Sequence, residues 1–219
     1  MTALIFDLDN CLAPSDEPGR QLMEPVFEAV RLANHGRVDD ARLEQAFEDT
    51  WRLAFDDVAE RYGFSEEMRE AGRNAFRGIE VTVPMHGYGD LDLLRHLGDQ
   101  RFLVTSGFRR LQESKVRALG IASLFAEVVV DAIDEPDHPG KEAIFVELLE
   151  RWRLDRRDVW IVGDNPDSEL VSGRRLGLRP VQTVRPGVEP SEEVELRVRN
   201  LAELAAILAS EATERVTGG

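Results

Sequence analysis

The sequence predicts an α/β protein: a doubly wound parallel sheet with an all-helical block inserted after its first strand. Three observations carry this. Short apolar runs suited to strands buried on both faces alternate with segments of helical apolar spacing through most of the 219 residues. The alternation stops once, from about residue 14 to residue 85, where helical spacing recurs and no convincing strand appears. Several apolar runs also end in polar residues of the kind found at the C-terminal edge of a parallel sheet, where ligands bind. The expected division is a core of residues 1–13 and 86–219 with a helical unit of residues 14–85.

The first strand is Leu4-Ile5-Phe6, ending in Asp7-Leu8-Asp9-Asn10. Alternate strand residues point the same way, so both carboxylates can serve one site; Asp and Asn are also ordinary turn residues. Pro14, Pro18 and Gly19 mark a linker. Leu22, Val26, Val30 and Ala33 recur at helical spacing up to Asn34-His35-Gly36. Leu43, Phe47, Trp51, Phe55, Val58 and Tyr62 form one longer stripe, with Asp39 or Asp40 as N-cap and Gly63 as the stop. Ser65 can cap a third helix through Met68, Ala71, Ala75 and Ile79. These stripes suit a packed helical core.

The texture then changes. Leu91, Leu94 and Leu97 suggest a helix, and Arg101–Thr105 a buried strand ending in Ser106-Gly107. A helix follows from Arg109 to Leu119, stopped by Gly120. Val128–Val130 reads as a strand, Lys141–Trp152 as a helix, and Val159–Val162 as a strand ending in Gly163-Asp164. A helix around Leu170–Leu176, a strand at Pro180–Val184 and a capping box at Asn200–Glu203 complete the pattern, with fraying expected from Ser210.

Composition narrows the function. With 42% hydrophobic and 32% charged residues the chain reads as a globular protein, and no apolar run approaches the roughly 20 residues of a membrane span. Asp7 interrupts any secretory leader pattern, and a lone cysteine, Cys11, forms no internal disulfide, so a reducing cytoplasm is expected. A net charge of −15 argues against a nucleic-acid partner, which needs a basic surface. It is compatible with a small phosphorylated substrate held by local positive charge or a cation. Of 27 basic residues only two are lysines, Lys115 and Lys141.

Asp7 and Asp9, Thr105-Ser106-Gly107, Lys141 at a helix start, and Gly163-Asp164 followed by Asp167 and Glu169 resemble, in chain order, the four motifs of the haloacid dehalogenase superfamily. The resemblance spans nearly the whole chain and includes a helical cap after the first strand of a Rossmann-like core. It implies a Mg²⁺-dependent phosphatase acting on a small phosphorylated metabolite through a covalent aspartyl-phosphate. Asp7 would be the nucleophile. Asp9 would protonate the leaving alcohol and later take a proton from water. Thr105, with the backbone N–H groups of Ser106 and Gly107, would bind phosphoryl oxygens, and Lys141 would supply positive charge. Mg²⁺ would be held by Asp7, Asp164 and the Asp9 backbone carbonyl, supported by Glu169 or its rival Asp167.

Two departures stand out. Pro139-Gly140-Lys141 replaces the commoner Lys-Pro run, leaving Lys115 as an alternative cation, although its mid-helix place suggests a solvent-facing side chain. Cys11 occupies a position usually held by Thr or Val and reads as a packed residue, with redox sensitivity as the other possibility. Other readings are a phosphomutase, a 2-haloacid dehalogenase, or a non-catalytic binding protein on this fold. Asp9 argues against dehalogenation, because halide leaves without a proton donor. His35, His86, His96 and His138 lack metal-ligand spacing, with His86 and His138 as candidates to border the site. Arg20, Arg52 and Arg73 could meet an anionic substrate. Monomer and homodimer are both open.

Overall fold

The computed structural model describes the backbone of residues 1–217. Six parallel strands form one sheet in the order β3-β2-β1-β4-β5-β6: β1 Ala3–Phe6, β2 Gln100–Gly107, β3 Glu127–Ala132, β4 Val159–Gly163, β5 Arg179–Thr183 and β6 Leu196–Val198. β1 is central, pairing Phe6 with Leu103 of β2 on one side and with Val162 of β4 on the other. Its four residues are buried on both faces, as their unbroken apolar character requires.

Alternation along β1 divides the core. Leu4 and Phe6 pack with Leu103, Trp160, Val162 and Val116 on one face, together with Leu201 and Leu204. Ala3 and Ile5 pack with Phe102, Val104 and Ile161 on the other, against Ile144, Phe145 and Leu148. The helices that supply these residues are α5 Arg109–Leu119, α6 Lys141–Arg151 and α8 Leu201–Thr217; α7, Val171–Arg175, is a short helix before β5.

Between β1 and β2 lie four helices: α1 Glu24–Ala33, α2 Asp40–Asp49, α3 Phe55–Tyr62 and α4 Glu66–Phe76. Asp39 caps α2 by accepting from Arg42 N, Ser65 caps α4 by accepting from Met68 N, and Gly63 ends α3 at φ 71°. Their apolar faces form one cluster that also takes in Phe108 and Leu111, at the start of α5. The rings of Phe76 and Phe108 stack 4.5 Å apart, joining this segment to the sheet domain.

Three expectations need correction, and one strand is additional. The long stripe Leu43–Tyr62 is two helices, broken at Thr50–Ala54: Thr50 Oγ1 donates to Phe47 O, and the N–H groups of Arg52 and Leu53 both turn back to Asp49 O. Leu91–His96 is a 3₁₀ helix. β6 was not foreseen, since three residues are too few to show an alternation. The last helix continues through Thr217, past the expected fraying at Ser210; Gly218 and Gly219 lie outside the described residues. Asn200 does cap it, its Oδ1 accepting from Glu203 N, but Glu203 Oε2 accepts from Arg199 N, one residue before the cap, so the reciprocal bond of a capping box is shifted by one. Among the described residues, no helix is long and apolar enough to cross a membrane.

Candidate active site

The strand order reverses direction at β1, so the crevice beyond the C-terminal ends of β1 and β4 is the topological switch point of the sheet. Asp7 sits there. Its N–H still donates to Val162 O at 2.8 Å, extending the ladder by one residue. The chain then folds into a tight loop in which Leu12 N and Ala13 N both donate to Leu8 O, with Asn10 in the left-handed region at φ 56°. This loop brings the Asp9 carboxylate to the same cavity as Asp7.

That cavity, about 480 Å³, takes residues from every expected motif: Asp7, Asp9, Thr105, Lys141, Asp164 and Glu169 all line it. The Thr50–Ala54 turn between α2 and α3 also lines it, tethered where Ser15 Oγ donates to Trp51 O at 2.6 Å. Phe55, Phe76 and Phe108 contribute an apolar wall.

Asp7, Asp164 and Glu169 each offer a carboxylate oxygen, and these atoms lie within 4.8 Å of one another. Among the described residues one cation pairs with this cluster: Lys141 Nζ donates to Asp7 Oδ1 at 2.9 Å and to Glu169 Oε2 at 2.8 Å. Burial pushes the Asp7 carboxyl up to about 7, against the pull of Lys141 and with added repulsion from Glu169. Burial likewise raises Asp164 to about 8, helped by Asp7 and Glu169. Burial disfavours the Lys141 ammonium, but Asp7 and Glu169 outweigh it and hold its proton more tightly than in an ordinary lysine. An excess of buried carboxylate oxygen over positive charge fits a hard divalent cation, and the donor set suits Mg²⁺.

Of the two rival acids, Glu169 is the buried one; Asp167 is exposed. Glu169 reaches inward because residue 163 is glycine: a Cβ there would fall 2.2 Å from Glu169 Oε1. Its Oε1 accepts from Asn165 N at 2.8 Å. Thr105 is buried, and its Oγ1 accepts from Gln112 Nε2 at 2.7 Å. Ser106 Oγ donates to Asp131 Oδ2, while Asp131 Oδ1 accepts from Gly140 N, which fixes the start of α6 and hence Lys141.

Lys115 is not solvent-facing. It is 3% exposed, and its Nζ donates to Asp9 Oδ1 at 2.6 Å. Gln112, one turn earlier on α5, donates to Asp9 Oδ2 at 2.9 Å. Gln112, Lys115 and Asp131 are the site residues that sequence reasoning missed or misplaced. The one signal for Lys115 was the scarcity of lysine. Cys11 is fully buried with its thiol pushed up by burial, consistent with a packed residue. His86 and His138 do not line the cavity. Arg20 pairs with Glu48 and Arg73 with Asp56, whereas Arg52 lines the cavity and has no ion-pair partner among the described residues.

Residues 1–177 match the family model of the haloacid dehalogenase-like hydrolases. A glyceraldehyde 3-phosphate phosphatase from Methanopyrus kandleri is 26% identical over 199 residues, covering 84% of each chain. A HAD phosphatase from Thermococcus onnurineus superposes with a TM-score of 0.63 at 20% identity, over 95% of this chain and 98% of its own. A Bacillus subtilis protein described as a HAD-hydrolase, solved bound to magnesium, superposes with a TM-score of 0.61 at 19% identity, over 94% and 98%.

Proposed function

The chain belongs to the haloacid dehalogenase-like hydrolases, and on that premise we propose that it is a Mg²⁺-dependent phosphatase of small phosphate monoesters. The observation that carries this reading is the gathering of Asp7, Asp9, Thr105, Lys141, Asp164 and Glu169 around one cavity at the switch point of the sheet. The Methanopyrus relative, named for glyceraldehyde 3-phosphate, supports a small phosphorylated substrate. The magnesium in the Bacillus structure supports the metal.

Asp7 attacks phosphorus in line with the leaving oxygen, and the phosphoryl group passes to its carboxylate. Asp9 gives a proton to the departing alkoxide, then takes one from the water that hydrolyses the aspartyl-phosphate. The Thr105 hydroxyl and the N–H groups of Ser106 and Gly107 bind phosphoryl oxygens, and Lys141 balances charge on the phosphate and on Asp7. Asp7, Asp164 and the Asp9 main-chain carbonyl would hold the metal, with Glu169 bracing the site. When bound, Mg²⁺ supplies positive charge that lets one anion approach another and polarises the phosphoryl oxygens. The helical segment acts as a cap whose Thr50–Ala54 turn covers the crevice, sheds water and contacts the alcohol part of the substrate.

The test is phosphate release from a panel of monoesters with and without Mg²⁺, using wild type and Asp7→Asn. Mg²⁺-dependent turnover that Asp7→Asn abolishes without unfolding is the expected result. Turnover of a haloacid alone, or sustained activity in Asp7→Asn, would overturn the reading.

A further inference from the structure

Asp9 carries the proton in the mechanism above, yet it sits in a loop and β1 gives its side chain no support. Its support comes from α5, more than a hundred residues away in sequence. Lys115 Nζ donates to Asp9 Oδ1 at 2.6 Å, with the lysine side chain 4% and the aspartate side chain 26% exposed. Gln112 Nε2 donates to Asp9 Oδ2 at 2.9 Å, so each carboxylate oxygen has its own donor on one rigid helix. The same amide nitrogen lies 2.7 Å from Thr105 Oγ1 and 3.2 Å from Ser106 O. Three acceptors around Nε2 fix which way the amide faces. Space for Gln112 is made by Gly107, where a Cβ would fall 2.9 Å from Gln112 Cγ.

We infer that Gln112 and Lys115 are positioning residues that set the proton donor and the phosphate-binding hydroxyl in register with each other. Lys115 and Gln112 clamp the Asp9 carboxylate so that one oxygen edge faces the leaving group. Because Thr105 Oγ1 accepts from Gln112, its own hydrogen is left to donate to a phosphoryl oxygen. The step served is aspartyl-phosphate formation: the bond from Asp7 to phosphorus forms, the bond from phosphorus to the leaving oxygen breaks, and the electron pair on that oxygen takes the proton from Asp9. This inference rests on the phosphatase reading. It assigns α5 a part in catalysis that neither lysine scarcity nor helix periodicity implies.

A misplaced acid hurts most when the leaving group needs protonation. The experiment therefore compares kcat/KM for 2,4-dinitrophenyl phosphate, whose leaving group departs unaided, and phenyl phosphate, whose leaving group does not. Lys115→Met should lose about 10²-fold on phenyl phosphate and much less on dinitrophenyl phosphate, within the range general acid catalysis supplies. Gln112→Leu should show the same inequality with an added rise in KM, since it also disturbs Thr105. Adding Lys115→Met to Asp9→Asn should cost almost nothing further, because the lysine acts through the aspartate. Equal losses on both esters, or full additivity in the double variant, would overturn the inference. If Lys115→Met does not fold, Gln112→Leu decides by the same ratio. Failure of wild type to turn over any monoester would sink the phosphatase reading instead.

Discussion

The Lys141 ammonium lies 2.9 Å from Asp7 Oδ1 and 2.8 Å from Glu169 Oε2, making it, among the described residues, the single cation paired with a cluster of three carboxylates. Removing it exposes the cluster to its own repulsion. Lys141→Met should lower kcat by about 10²-fold or more, the scale set by deleting one preorganised transition-state contact. Stability should respond to pH in a defined sense. At pH 5 Asp7 and Asp164, raised to about 7 and about 8, hold protons and absorb the loss, whereas toward pH 8 their charges build up beside one another. Thermal melts in EDTA should show a larger gap between wild type and Lys141→Met at pH 8 than at pH 5. A gap that does not vary with pH would count against the charge-balancing role.

Metal binding should itself be pH-dependent. Asp7 and Asp164 are raised from an ordinary value of 3.8 to about 7 and about 8 by burial and mutual repulsion. A carboxyl raised on folding binds more protons in the native state than in the unfolded one, so its contribution is fully present below pH 3.8 and is lost as pH rises through about 7 to 8. A cation must displace those protons. The rise in Tm on adding Mg²⁺ should therefore grow from pH 6 to pH 8. An equal shift at both would mean that these two carboxyls are not the ligands.

Glu169 and Asp167 can be separated directly. Glu169 is buried against Lys141 and Asn165 N, whereas Asp167 is exposed, its N–H donating to Asn165 Oδ1. Glu169→Gln should raise the Mg²⁺ concentration for half-maximal activity by about 10- to 100-fold, the usual cost of a lost supporting partner. Asp167→Asn should leave it near wild type. The reverse ranking would assign the support to Asp167.

The parts of the site that were legible in the sequence are those written locally. Asp7, Thr105 and Asp164 close strands whose apolar runs are only a few residues long, and Gly140-Lys141 opens a helix, so type and place coincide within a short window. Lys115 and Gln112 were not legible because their role depends on how α5 is rotated over a loop 106 and 103 residues away. Helix periodicity says which face is apolar; it does not say that a lysine on the buried face has found a carboxylate. The break between α2 and α3 was hidden for a different reason. Trp51 and Phe55 keep helical spacing across it, while the interruption comes from the Thr50 hydroxyl and the Ser15 tether to Trp51 O. That break matters for function, because the turn it creates lines the cavity.

Arg52, in that turn, gives the last prediction. Three arginines of the helical segment were candidates to meet an anionic substrate, and two are engaged elsewhere: Arg20 with Glu48 and Arg73 with Asp56. Arg52 lines the same cavity as Asp7, with Asp57 also in the wall. A guanidinium in this place can bind a second anionic group on the substrate, such as a carboxylate, and would do nothing for an ester that lacks one. Arg52→Ala should therefore raise KM by about tenfold for phosphoglycolate-like esters, in line with the loss of one exposed charge-assisted contact. Its kcat should hold, and its kinetics on p-nitrophenyl phosphate should match wild type. Because Arg52 is exposed and makes no ion pair among the described residues, the fold should be indifferent to its loss. Any change in KM can then be read as recognition. A uniform KM for both kinds of ester would remove Arg52 from substrate selection and leave that task to the aromatic wall of Phe55, Phe76 and Phe108.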